Sequence, residues 1–409
     1  MTQRQVDSPY AWFRLGVSLL LATIGGVGMW SVVVALPAVQ TEFDVARGGA
    51  SLPFTLTMFG FAIGGVLMGR WADRIGIITP ILFGATCLAA GYILASFAST
   101  LVEFAVAYGL LIGIGTSATF APLIADISHW FERRRGIAVA LCASGNYVGG
   151  AIWPPVIEYL IREEGWRTTH FYVGVFCFIA MVPLTFLLRG HASVRAAGAA
   201  GPAGPRLGTL GMSPRALQGL LAIAGVSCCV AMSMPQVHLV AYCGDLGYGV
   251  DAGARMLSLM LGFGIISRIV SGFVADRLGG MATLLIGSVA QMTALSFYLL
   301  TDGLVSLYVI SALFGLFQGG LVPSYALIIR ECFPAKEAGG RVGIVMMMTL
   351  LGMALGGWMS GAIYDLTGSY QAAFANGVAW NALNTVIAIF LLTRRIRLTR
   401  QASGVRAAA

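Results

Sequence analysis

Arg268 stands in the run "LMLGFGIISRIVSGFVADRLGG", Leu259 to Gly280, which is apolar or small almost to its end. A guanidinium in hydrocarbon costs at least a few kcal/mol, so it needs a counter-charge, a route to water, or a task. The i−4 position is Gly264, and no acid follows in the run before Asp276. Arg277 marks the water interface nine residues on, roughly 13 Å away at 1.5 Å per residue and about twice the reach of a snorkelling side chain. Gly264, Ser267, Ser271 and Gly272 leave room beside the guanidinium. Its planar fork matches a carboxylate with two parallel hydrogen bonds. The chemistry expected at Arg268 is therefore the anchoring of a small organic anion, with a buried structural ion pair as the alternative. Asn146, Tyr147, Gln318 and Tyr325 are weaker candidates for the same cavity. Such groups also serve as bonds between membrane helices. His238 is a candidate for a proton-linked role near neutral pH.

These residues must be held by membrane-spanning helices. The 409-residue chain is 58% hydrophobic and only 10% charged, too little polar surface for a soluble domain. Apolar runs of bilayer-crossing length recur at 13–36, 50–69, 78–98, 102–125, 136–160, 168–188, 216–240, 253–275, 281–301, 305–329, 342–364 and 372–393. This predicts an all-α membrane protein with twelve transmembrane helices. No ten-residue alternation indicates a barrel. The first run lacks a cleavage site and reads as a retained helix rather than a signal peptide. The seven cysteines have neither zinc nor redox-pair spacing and read as apolar packing. No metal or cofactor is expected.

The net charge of +8 is distributed by topology. With both termini cytoplasmic, 20 of the 25 Lys and Arg residues fall on the cytoplasmic side. Arg47, Arg162, Arg167 and Arg255 fall outside, and Arg268 alone is placed inside a span. That bias sets the orientation. It argues for a lipid-bilayer protein with no nucleic-acid partner.

The halves repeat. "GRWADRIG" (Gly69 to Gly76) follows the second span and "GFVADRLG" (Gly272 to Gly279) the eighth, a shift of 203 residues. Gly145-x-x-x-Gly149-Gly150 matches Gly352-x-x-x-Gly356-Gly357 at a shift of 207, and Asp126 matches Glu331 at 205. The expected layout is a six-helix half (1–188), a Gly-, Ala- and Pro-rich cytoplasmic linker (189–215), a second six-helix half (216–394) and a cytoplasmic tail (395–409). The 203-residue shift sets Arg268 opposite Gly65, so the duplication carries its arginine in one copy only. A substrate with one anionic end would need that asymmetry; a packing role common to both halves would not.

G-x-x-x-D-R-x-G and its partial repeat resemble the signature of the major facilitator superfamily. "WFERRRGIAVALCASGNYVG" (Trp130 to Gly149) resembles the fifth-helix signature of monocarboxylate porters and oxalate/formate antiporters. The resemblance implies two halves related by a pseudo-two-fold axis, working by alternating access. It implies a substrate-binding arginine at Arg268 and a cytoplasmic latch of Arg70, Asp73, Arg74, Asp126, Asp276, Arg277 and Glu331 in the outward-facing state. Monocarboxylate porters carry an aspartate four residues before that arginine, where Gly264 stands here. Oxalate exchangers carry a lysine in the eleventh helix, where this chain has none. A single cationic anchor suits one carboxylate. The function expected is secondary transport of small monocarboxylates across the inner (plasma) membrane by a monomer, through proton symport or anion exchange. Drug efflux by proton antiport would need a deep acid, and a non-transporting receptor would need an appended domain or long tail. An enzyme would need a catalytic cluster the four scattered histidines do not form.

Overall fold

The computed structural model describes residues 3–4, 6–192 and 208–408, so most of the expected linker lies outside the described residues. Among the described residues, eleven helices are long and apolar enough to cross a membrane. One of them, Arg135–Leu187, runs for 53 residues but breaks at Gly165, whose φ of 78° suits glycine and ends a helix. Counted on either side of that break, the spans number twelve. They are α1 (Pro9–Glu42), α2 (Arg47–Ile75), α3 (Ile78–Ser96), α4 (Leu101–Trp130), α5 (135–164), α6 (166–187), α7 (Pro214–Asp245), α8 (Val250–Leu278), α9 (Gly280–Phe297), α10 (Leu304–Cys332), α11 (Glu337–Thr367) and α12 (Tyr370–Thr399). The last helix continues to Ala408, through the stretch expected to be a tail. A two-residue parallel pairing joins β1 (Gln3–Arg4) to β2 (His191–Ala192).

Local sequence sets the helix starts. Ser8 and Ser213 cap α1 and α7 through side-chain oxygens, each followed by a proline that needs no amide partner. Thr100 caps α4 by accepting from the Glu103 amide, while the Glu103 carboxylate accepts from the Ser99 amide at 2.7 Å.

The duplication is visible in the packing. In the first half α1 packs on α5, α2 on α4 and α3 on α6; in the second α7 packs on α11, α8 on α10 and α9 on α12. The paired glycine motifs sit within these contacts. A Cβ at Gly149 would lie 2.7 Å from the Thr23 carbonyl of α1, and one at Gly356 would lie 2.5 Å from the Val230 carbonyl of α7. Both motifs are thus close-approach faces inside a half.

The two halves meet chiefly along two seams, α5 with α8 and α2 with α11, with a lesser contact of α1 on α7. All but one of the hydrogen bonds joining the halves among the described residues lie between the bundle's middle and the end away from the termini, called the distal end below; the exception, from Arg268 to Ala143, lies a little to the terminal side of the middle. At the terminal end Arg70, Asp73, Arg74, Asp276 and Arg277 are exposed. A Cβ at Gly65, Gly69 or Gly272 would meet nothing within 4 Å. The molecule is closed distally and open toward its termini.

Candidate functional site

Arg268 lies where the α5–α8 seam gives way to that opening. Closer to the distal end, the Ser258 hydroxyl donates to the Ala151 carbonyl. Two turns or so further along, Arg268 Nη1 donates to the Ala143 carbonyl at 3.2 Å. The guanidinium carbon stands 4.7 Å from the centroid of the Tyr147 ring, a cation–π contact across the two halves. Arg268 Nε is buried with no hydrogen-bond partner. Among the described residues no carboxylate pairs with this arginine. The alternative of a structural ion pair therefore has no acid to supply it. Gly264 is explained by the same contact: a Cβ there would fall 2.5 Å from Tyr147 Cε1.

Helix interruptions gather around this point. The α10 helix is divided between Gln318 and Leu321. The freed Gly319 amide donates to Ser267 Oγ at 3.0 Å, one residue from Arg268. Gln318 is 1% exposed; its Oε1 accepts from Gln236 Nε2 at 2.7 Å, and its Nε2 is buried without a partner. The α1 helix is interrupted at Gly26. Asn146 lies beside that break, with its carbonyl accepting from Trp30 Nε1 at 3.2 Å. Broken helices near mid-depth are where secondary transporters place polar ligands. Arg268 and Tyr147 are brought into direct contact, with Gln318 one residue from the Gly319–Ser267 bond and Asn146 beside Tyr147.

Other candidates are held elsewhere. The Tyr325 hydroxyl, fully buried, donates to one of two acceptors, the Ala224 carbonyl at 3.0 Å and Asn384 Oδ1 at 2.8 Å, and so ties α10 to α7 and α12. His238 lies at the distal end, bonded to the Gly357 carbonyl and the Tyr370 hydroxyl of its own half. Glu331 accepts from the Gly280 amide at 2.8 Å and faces Arg395 at 3.9 Å, inside the second half. Asp126 is bound inside the first half: it accepts from Arg14 Nε at 2.7 Å and Nη2 at 2.9 Å. Arg14 is 1% exposed, donates also to the Leu188 carbonyl at 2.6 Å and lies 4.6 Å from the Trp130 ring centroid. Arg268 is accordingly not the sole arginine inside a span. Arg14 differs in being fully paired.

Sequence reasoning missed the residue that closes the distal end. Arg47, counted there as an external loop charge, is 8% exposed. It donates from Nη1 and Nη2 to Asp245 at 3.0 and 3.1 Å, and from Nη1 to the Tyr370 hydroxyl at 2.7 Å. Asp365 accepts from the Arg47 and Gly48 amides at 2.8 and 2.7 Å. Every one of these partners belongs to the other half. The only available signal was an arginine that broke the charge bias.

The geometry can be set beside known proteins. The sequence model described as Major Facilitator Superfamily matches residues 18–307 and 281–408. Monocarboxylate transporter 13 of Bos taurus is 28% identical over 327 residues, covering 80% of this chain and 75% of that protein. Monocarboxylate transporter 11 of Homo sapiens is 26% identical over 397 residues, covering 90% and 80%. Among solved structures, a bacterial homolog of the human lysosomal transporter Spinster, inward-facing and unoccupied, superposes with a TM-score of 0.70. It has 14% identity and covers 95% of this chain and 98% of that one. The nucleoside transporter NupG gives a TM-score of 0.70 at 14% identity, covering 93% and 99%.

Proposed function

The chain belongs to the Major Facilitator Superfamily as a multi-pass membrane transporter, and we propose that its cargo is a small organic monocarboxylate held by Arg268. The observation carrying this reading is the state of that side chain. It is cationic, seated at the apex of the opening between the halves, backed by Tyr147, and without a carboxylate of its own. An anion entering from the terminal end completes its hydrogen bonding and neutralises it, which eases closure of the halves around the pair. The relatives named monocarboxylate transporters support the same substrate class.

The charge bias supports both termini in the cytoplasm, here taken as that of an inner (plasma) membrane, and with that orientation the opening faces inward. In the opposite state the halves close at the terminal end. Arg70, Asp73, Arg74, Asp276 and Arg277, unpaired among the described residues, then form the latch. Asp126 and Glu331 contribute by holding their own half rigid. The single arginine and the glycine at position 264 fit transport in which the proton, where one is carried, travels with the substrate or the cycle is an exchange.

The test is flux into liposomes bearing Arg268→Gln protein. Loss of the charge-assisted fork lowers monocarboxylate affinity at least about tenfold. Near-normal flux and affinity in this variant would overturn the reading.

A further inference from the structure

The distal closure contains a buried histidine that the transport reading does not use. His238 is 0% exposed. Its Nε2 donates to the Gly357 carbonyl at 2.7 Å, since a carbonyl can only accept, which leaves Nδ1 to accept from the Tyr370 hydroxyl at 3.0 Å. The same hydroxyl oxygen accepts from Arg47 Nη1 at 2.7 Å. A chain of three groups thus runs from the first half's arginine through one oxygen to the second half's imidazole.

The surroundings leave a second positive charge no counter-ion. On α7, Asp245 is committed to both terminal nitrogens of Arg47, and the Tyr242 ring packs on Tyr370. On α11, Asp365 spends its two oxygens on the Arg47 and Gly48 amides, while the Tyr364 ring lies under the Arg47 guanidinium at 4.6 Å. On α12, Tyr370 is the bridge itself. A hydrogen on Nδ1 would turn the Tyr370 hydrogen away and aim two cationic donors at one oxygen. Parting the halves removes Arg47 from that oxygen and admits water to the imidazole. Water already reaches the Arg47–Asp245 side, through a hollow of about 410 Å³ bounded by Thr41, Asp44, Gly244 and these two residues.

We propose that His238 is a proton-binding site whose occupation releases the Arg47–Tyr370 closure and opens the distal end. Acid on that side then recruits the carrier to the state that faces it. The inference rests on the transport reading only for this last consequence.

Spin labels at Thr41→Cys and Leu366→Cys, both exposed on opposite halves, report the distal gap, since the seven native cysteines are buried. In nanodiscs without any carboxylate, the parent protein gains a longer distance as pH falls from about 8 to about 4, a span that reaches below the ordinary histidine range. The distribution becomes pH-independent in His238→Gln, and equally in Tyr370→Phe, which keeps the imidazole but removes the bridge. A parent distribution that ignores pH, or either variant following pH as the parent does, overturns the proposal. Because no substrate is used, a protein that carried no monocarboxylate would still reveal whether the histidine controls the closure.

Discussion

The Tyr147 ring occupies the volume that any side chain at position 264 would need: a Cβ built on Gly264 lies 2.5 and 2.6 Å from two of its ring carbons. The two residues come from opposite halves, so the contact is made and broken as the halves move. Gly264→Ala forces the ring off the guanidinium, at an overpacking cost of about 1–3 kcal/mol. The expected outcome is at least about a tenfold fall in monocarboxylate affinity by flux assay. Adding Tyr147→Ser relieves the overpacking and recovers stability, but does not restore affinity, because the stack is gone. A Gly264→Ala protein with unchanged affinity would show that the stack does not position Arg268.

The Arg14–Asp126 pair makes a different prediction. Asp126→Asn leaves a guanidinium at 1% exposure without its counter-charge, and breaking such a pair costs about 3–5 kcal/mol. Thermal unfolding in detergent shifts downward. Arg14→Met with Asp126→Leu recovers most of that loss, because an apolar pair of similar volume needs no desolvation. A single variant as stable as the parent would mean that water reaches the arginine.

Tyr325 separates helix bonding from ligand binding. Removing its hydroxyl leaves one of its two acceptors, the Ala224 carbonyl or Asn384 Oδ1, without that donor. Tyr325→Phe should therefore cost about 1–3 kcal/mol of stability, with substrate affinity unchanged in the protein that folds. A specific loss of affinity at parental stability would return this residue to the cavity.

Arg47→Gln removes the charge on which three residues of the other half converge. A cysteine introduced at Phe54, 1% exposed and packed on Gly357 across the seam, becomes accessible to a maleimide from the distal side. Labelling at least about tenfold faster than in the Arg47 parent is expected, equivalent to about 1.4 kcal/mol less favourable closure. Equal rates would show that closure of this end does not depend on the Arg47 charge.

The spans and their pairing were legible because hydrocarbon imposes long apolar runs, and because a duplicated unit must repeat its motifs at a fixed shift. The isolation of Arg268 was legible for the related reason that acids are rare in such runs and easily searched. Arg14 was not: it lies close enough to the start of its run to pass for a flanking charge, and its partner is 112 residues away. The fit of Tyr147 to Gly264 was equally hidden, since each residue alone reads as a common membrane-helix type. Arg47 was counted as a topological exception because a sequence shows which side a charge is on, not what it faces. Polar groups such as Tyr325 and Gln318 differ only in whether their bonds are completed by neighbours, and that is decided by packing.

An arginine present in one half and answered by Gly65 in the other also has an electrical consequence. The empty carrier holds a net positive charge in its cavity; the carrier loaded with a monoanion does not. To the extent that reorientation carries the cavity across the membrane field, the empty return step moves that charge while the loaded step is silent. Each full charge is worth about 2.3 kcal/mol per 100 mV. On the proposed monocarboxylate reading with cytoplasmic termini, a membrane negative inside would retard the empty carrier's turn outward, and net uptake would slow with voltage where one-for-one exchange would not.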